Sequence, residues 1–267
     1  MTASPFFPYI TVFIVGAAVG SFLNVCIARI PKRESVIRPA SRCLHCGKAI
    51  AFYDNIPLLS YLLLKARCRS CGKRISIRYP VVELLMASLA VALFRQFGLG
   101  LAFVASFVFV AALIVISFID LDARIVPDVI SLPGIATGLL FAIIARYLTG
   151  DPSGLVPSPI SAFIGALVGG GFLLALAWAY QAVTGVEGMG GGDIKLLAMI
   201  GAFLGWPAIP LTLFFSSLGG SVVGLSLMVI KGAGRRYAMP FAPFLCLGAL
   251  AYLFFGRQLI DFCLFPR

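Results

Sequence analysis

Two aspartates, Asp120 and Asp193, stand where a shared acid–base site could form. Asp120 closes the apolar run Leu101–Ile119, in the segment Phe118-Ile119-Asp120-Leu121-Asp122-Ala123-Arg124-Ile125-Val126-Pro127-Asp128. Asp193 closes the run Gly188-Met189-Gly190-Gly191-Gly192-Asp193 and opens the next apolar segment. A charged group at the centre of a bilayer-spanning helix costs about 2.5–3.5 kcal/mol on insertion scales. The chain has ten acidic residues and sets two of them beside such segments. Paired carboxylates are sufficient equipment for acid–base hydrolysis, because one can serve as base while the other holds the proton. Asp122 and Asp128 compete for the first position. Asp120 and Asp122 are two apart and cannot share a helical face. Asp120 abuts the apolar run, whereas Asp122 and Asp128 are expected to face water or to cap the helix after Pro127. Glu83, behind Pro80, is expected either to cap its helix or to line a cytosolic site, and Glu187 lies beside the glycine run.

The glycine run resembles a dinucleotide fingerprint only superficially. Gly188 and Gly190 fit G-x-G-x-x-G, but the third glycine position is Asp193, which would repel a phosphate. A backbone device fits better. Gly190 and Gly192 let an extended substrate approach the main chain closely. Asp193 then sits at a helix N-terminus, where the macrodipole favours a negative charge. The plainer alternative is an N-terminal aspartate after a flexible loop.

Four cysteines make a second constellation. Cys43-Leu44-His45-Cys46-Gly47-Lys48 and Cys68-Arg69-Ser70-Cys71-Gly72-Lys73 are near repeats. Two residues between thiolates allow both sulfurs to point at one metal, and the following glycine permits the tight turn. Cys43, Cys46, Cys68 and Cys71 are therefore expected to hold a structural Zn²⁺ in a closed four-sulfur shell that leaves no position for water. Two disulfides or a redox dithiol are the alternatives; a reducing cytoplasm disfavours the first, and no thioredoxin-like pattern surrounds either pair. His45 is read as a solvated knuckle residue. Cys26, Cys246 and Cys263 lie in apolar segments and read as small packing residues.

The elements that must position these groups are membrane helices. Of the 267 residues, 61% are hydrophobic and only 12% charged, against about 25% charged in soluble domains. The alternating ten-residue segments of a β-barrel are absent. The expected fold is all-α: a polytopic bundle of about eight spans at 8–28, 81–97, 101–119, 129–148, 159–181, 194–206, 208–230 and 238–262. In domain terms, 1–28 is the first span, 29–80 a cytosolic zinc-knuckle domain, and 81–267 the bundle carrying both aspartates. No basic segment precedes the first span, so it does not read as a cleaved signal. Twelve of the 21 Lys and Arg residues fall between Arg29 and Arg78. Arg124, Lys195, Lys231, Arg235 and Arg236 lie on the same side, leaving Arg95, Arg146, Arg257 and Arg267 opposite. The positive-inside rule puts the loop and both aspartates on the cytoplasmic side. The net charge of +11 is thus mainly a topology signal, and no nucleic-acid partner is expected. A proton-coupled transporter would also use intramembrane acids, but it would place them nearer the midplane and gives the cysteines no role. An adaptor held by a zinc ribbon explains the cysteines and not the aspartates.

Taken in order, the motifs resemble the bacterial type IV prepilin peptidases, the leader peptidase/N-methyltransferases among the GxGD aspartic proteases. The resemblance rests on Gly20-Ser21-Phe22-Leu23-Asn24-Val25, Arg29-Ile30-Pro31, both CxxC pairs, and Asp54-Asn55-Ile56-Pro57-Leu58-Leu59-Ser60. It continues through Arg78-Tyr79-Pro80-Val81-Val82-Glu83, Asp120-Leu121-Asp122 with Val126-Pro127-Asp128, and Gly190-x-Gly192-Asp193 with Lys195. It implies an inner-membrane endopeptidase with Asp120 and Asp193 as the catalytic pair. It also implies prepilins or pseudopilins of a pilus or secretion system as substrates, cut at the cytoplasmic face. A second implied activity is methylation of the new N-terminus with S-adenosylmethionine. The residues to search for that activity are the cytosolic loop, Gly20–Asn24 and Glu83.

Overall fold

The computed structural model describes residues 6–147, 156–186, 190–231 and 239–264; for Lys231, Arg257 and residues 259–264 it describes only the backbone. Glu187, Gly188, Met189, Arg235, Arg236 and the Cys263 side chain therefore lie outside the described set. The chain divides into two compact units, Met1–Phe103 and Val104–Arg267.

In the first unit, α1 (Phe7–Arg29) runs into a 3-10 turn at Ile30–Lys32. The cysteine loop follows, with a 3-10 turn at Phe52–Asn55 and the short α2 (Leu59–Leu63), and then α3 (Arg78–Phe97). Pro80 is tolerated in α3 because the first-turn N–H groups have no intrahelical partner. Glycine brings α1 and α3 together: a Cβ on Gly16 would stand 2.8 Å from the Ala87 Cα, and one on Gly20 2.7 Å from the Glu83 Cα. Close backbones let Val12, Leu23 and Ile27 of α1 bury against Val82, Met86 and Leu93 of α3.

The second unit contains most of α4 (Leu101–Ala123), then α5 (Asp128–Tyr147), α6 (Pro159–Thr184), α7 (Gly191–Leu204), α8 (Ala208–Lys231) and α9 (Ala242–Leu264). Its core joins Phe109, Leu113 and Ile116 of α4 to Leu173 of α6, Leu196–Ile200 of α7 and Leu245 of α9. The rings of Phe109 and Phe203 stack at 4.7 Å. α7 occupies the middle: every residue from Leu196 to Phe203 is buried. Glycines on both sides make room for it. A Cβ on Gly165 of α6 would collide with the Gly201 carbonyl oxygen, and one on Gly138 of α5 would lie 2.9 Å from the Ala202 carbonyl carbon.

The fold is helical, with only isolated bridges and no strand among the described residues. Six helices are long and apolar enough to cross a membrane, and α9 adds a shorter apolar stretch, Ala242–Gly256. The protein is thus a multi-pass membrane protein. The expected sixth span is the element that differs. α7 has 14 residues, short of the ~20 that cross a hydrocarbon core, because Gly205-Trp206-Pro207 turns the chain before α8 begins. Outward faces of α6 and α8 carry large exposed apolar side chains, including Phe163, Leu167, Phe172, Phe214 and Leu225, as lipid-facing surfaces must.

Candidate functional site

Asp120 lies one turn from the end of α4 and is buried, 5% exposed. Its Oδ2 accepts a 3.1 Å hydrogen bond from the Ala242 N–H, the first residue of α9. The first N–H groups of a helix have no intrahelical acceptor, and the macrodipole there is positive. Asp120 therefore meets a fixed donor and a favourable field. Arg124, in the left-handed region at φ 55°, ends α4 while its N–H still bonds the Asp120 carbonyl at 2.9 Å.

Asp193 is in the first turn of α7. Its carboxyl is close enough to that of Asp120 for the two charges to interact. The buried Cys246 thiol of α9 bonds the Ser117 side chain and lies within electrostatic reach of both carboxyls. No hydrogen bond from the described residues reaches the Asp193 carboxyl, so the two acids are chemically unequal.

The other acids fall elsewhere. Asp128, the first residue of α5, is exposed and forms a 2.7 Å ion pair with Lys195 of α7. Asp122 is exposed. Glu83 lies more than a turn inside α3, away from its start, so it is not a cap. Its Oε2 accepts the Leu58 N–H at 2.8 Å, and it bonds Ser21.

Gly190 and Gly192 separate in role. A Cβ on Gly192 would lie 2.7 Å from the Val126 Cβ, so packing alone excludes a side chain there. Gly190 is the residue preceding α7, with φ −70° and ψ 139°, a conformation open to any residue. Nothing lies within 4 Å of a Cβ placed on it. Neither strain nor internal packing accounts for Gly190, and open space faces it.

The four cysteines converge. Cys43, Cys46, Cys68 and Cys71 offer sulfurs all within 4.8 Å of one another. The Cys43 and Cys71 sulfurs are 3.9 Å apart, too far for a disulfide. Sulfurs ~2.3 Å from a central ion stand about 3.8 Å apart on a tetrahedral edge. The two knuckles repeat one fold. The Cys43 N–H bonds the Lys48 carbonyl and the Gly47 N–H bonds the Cys43 carbonyl, both at 2.9 Å; Cys68, Lys73 and Gly72 repeat both bonds at the same lengths. Gly47 and Gly72 have φ of +70° and +67°, where a side chain would be strained. Backbone N–H groups of Cys46 and His45 draw the Cys43 thiol down to about 6. At Cys71 the Lys73 N–H acts in the same sense, but burial and the other three sulfurs push the thiol up to about 11. Full ionisation of this shell calls for a central cation. His45 is exposed and outside it. Asp54 and Arg69 join the 3-10 turn to the second knuckle by two hydrogen bonds of 2.7 and 2.8 Å. The guanidinium holds the Asp54 carboxyl below its ordinary range.

Comparison with known proteins assigns the chain. Residues 14–97 match the bacterial peptidase A24 N-terminal domain, and residues 107–225 match the type IV leader peptidase family. A protein of Aeromonas hydrophila named prepilin leader peptidase/N-methyltransferase is 38% identical, covering 96% of this chain and 93% of its own. The chain belongs to the type IV leader peptidase family. Same-named family members from Myxococcus xanthus and Pseudomonas aeruginosa are 44% and 37% identical, over 84% and 92% of this chain and 64% and 90% of theirs. No solved structure matches. Both aspartates fall within the leader peptidase match and all four knuckle cysteines within the N-terminal one.

The Ala242 donor was not evident in the sequence, since a backbone N–H has no residue type. Pro243 was the available signal: a proline near a helix start marks free N–H groups just before it.

Proposed function

We propose that the chain is a membrane aspartic endopeptidase that cuts the leader from type IV prepilins or pseudopilins at the cytoplasmic face of the inner membrane and then N-methylates the new terminus. The observation carrying the first activity is the buried Asp120 carboxylate, held by the Ala242 N–H within electrostatic reach of Asp193. Two close carboxylates cannot both ionise easily, and they titrate as a pair. Asp120, which already accepts a donor, is the base that takes a proton from water. Asp193 is the acid that protonates the scissile carbonyl oxygen. The roles reverse as the amine leaves. The open backbone at Gly190 gives an extended substrate its approach beside Asp193.

Zn²⁺ is the ion the four-thiolate shell suits, in a structural role. The sulfur spacing supports this, and with four sulfurs bound no position remains for a reacting water. The methyl donor is S-adenosylmethionine. The freed amine forms its N–C bond as the sulfonium C–S bond breaks, sulfur keeping the electron pair and the amine losing a proton. The test incubates detergent-solubilised protein with a leader-bearing pilin peptide. A mass loss at the leader junction, and one further methyl when S-adenosylmethionine is added, is the expected result; an intact peptide would refute the peptidase.

The glycines provide a separate check. Gly192→Ala should lower stability by about 1–3 kcal/mol through overpacking against Val126, and Val126→Ala, which keeps the Cβ that is struck, should restore little of it. Gly190→Ala should leave the melting temperature within a degree or two yet raise KM for the peptide. An unchanged KM would remove Gly190 from the substrate path.

A further inference from the structure

The residues of α2 divide between two environments at helical spacing. Leu59, Leu62 and Leu63 stand at i, i+3 and i+4 and are 49%, 71% and 72% exposed. That spacing puts them on one face. Ser60 is turned the other way. It is buried, and its hydroxyl donates to the Tyr53 carbonyl at 3.0 Å and accepts the Ile56 N–H at 3.1 Å. The polar side of α2 thus points into the cysteine loop and its apolar side out of it. Leucines displayed together in this way mark a surface that meets something apolar.

The height of α2 says what that is. The Leu58 N–H, just before α2, donates to Glu83 Oε2 at 2.8 Å. Glu83 is the sixth residue of α3 and also bonds Ser21 of α1. Ser21 precedes the end of α1 at Arg29 by eight residues, about 12 Å of helix. The whole of α1 has 23 residues, about 34 Å, little more than the ~30 Å hydrocarbon layer. α2 therefore starts level with the membrane helices and not beyond them. An interfacial helix sinks its apolar face to such a depth, about 5–10 Å into the headgroup boundary.

Charge completes the surface. The stretch from Arg29 to Arg78 has twelve Lys and Arg residues against two acids, Glu34 and Asp54, and Asp54 is already bonded to Arg69. Lys65 and Arg67 follow α2 closely, and Arg67 forms an antiparallel bridge with Arg74. Opposed residues of such a bridge share a face, where like charges repel unless an anion meets them. Lys65, Arg67 and Arg74 are exposed and have no acid partner among the described residues. A leaflet containing acidic phospholipids supplies both halves, apolar chains for the leucines and phosphates for the cations. We infer that α2 and the cluster of Lys65, Arg67 and Arg74 dock on an acidic phospholipid surface. The contact fastens the cysteine loop to the bilayer at a third place besides α1 and α3. A soluble polyanion would suit the cations and leave the leucines without a role. The contact is independent of both activities proposed above.

The test replaces Leu62 by Trp in a chain whose two native indoles are removed (Trp178→Phe, Trp206→Phe). The metal-loaded protein is set in nanodiscs of phosphatidylcholine and phosphatidylglycerol, with bromine on the acyl chains of one lipid or the other. Both brominated lipids should quench the introduced indole, and aqueous iodide should hardly reach it. At equal fractions, brominated phosphatidylglycerol should quench at least about twofold more, because each cation near the surface attracts acidic lipid. Lys65→Gln/Arg67→Gln/Arg74→Gln should erase that excess with metal content unchanged, and so should high salt. Leu63→Trp, on the same face, repeats the measurement should the first replacement cost the chain its metal. An indole that iodide quenches and neither brominated lipid does would place α2 clear of the bilayer and overturn the proposal. Equal quenching by the two lipids, unmoved by the triple replacement, would overturn the role of the cations. An oligonucleotide that binds the detergent-solubilised wild type and not the triple variant would assign them to a soluble polyanion instead.

Discussion

Asp120→Asn and Asp193→Asn should each reduce cleavage of a leader-bearing peptide by at least about 10²–10⁴-fold, the contribution expected of a positioned acid or base. Asparagine keeps the volume of aspartate. At position 120 it also keeps an oxygen to accept the Ala242 N–H, so the helices should remain packed. What is lost is the proton-carrying group. The two residues act as one unit, so the double variant should be scarcely worse than either single one. Initial rates from mass spectrometry, with metal content as the folding control, decide the matter. A single variant that cleaves at a near-normal rate would dismiss the dyad. Asp128→Asn serves as the contrast: it removes an exposed ion pair with Lys195, usually worth no more than about 1 kcal/mol, and should leave cleavage almost intact.

The second large effect concerns the knuckles. Removing the ion by chelation, or replacing Cys43 or Cys71 by Ser, should unfold the loop. Structural zinc contributes about 10–16 kcal/mol in finger peptides near neutral pH. The loop has little else: two isolated bridges, one five-residue helix and mostly exposed side chains. Zinc per chain should fall from one towards zero, and proteolysis should open between α1 and α3. Protons compete with the ion for thiolates, so acid should release it and alkali retain it. A chelated protein whose loop stays protease-resistant would show that packing, and not the ion, holds it.

Much of this molecule was legible beforehand because its signals are written in residue types. Long apolar runs announce helices, CxxCG pairs announce knuckles, and an acid at an apolar boundary attracts attention through its cost. The Cys43–Cys71 approach and the placement of Asp193 in the first turn of α7 follow from such patterns. Three contacts did not. The Ala242 N–H is a backbone group that any residue would supply. Gly192 suits a loop and a tight packing site equally well, and only the nearby Val126 distinguishes them. Glu83 follows a proline and so suggests a cap, while its partner, Leu58, lies across a loop whose path only the folded chain defines. The expected 194–206 already made α7 a short segment, close to the observed Gly191–Leu204; what stayed hidden is its enclosure by protein. Its composition is that of a bilayer span, and hydropathy does not separate burial in protein from burial in lipid.

The length and enclosure of α7 bear on how the protein enters the membrane. At 1.5 Å per residue, a helix of 14 residues extends about 21 Å, less than the ~30 Å hydrocarbon layer. Released alone from the translocon, it would leave the layer incompletely bridged. It must go in paired with α8 through the Gly205-Trp206-Pro207 corner, and settle once α5 and α6 present their glycine grooves. A nascent chain stopped before α8 should therefore leave the stretch that follows α6 open to added protease, and one that includes α8 should not.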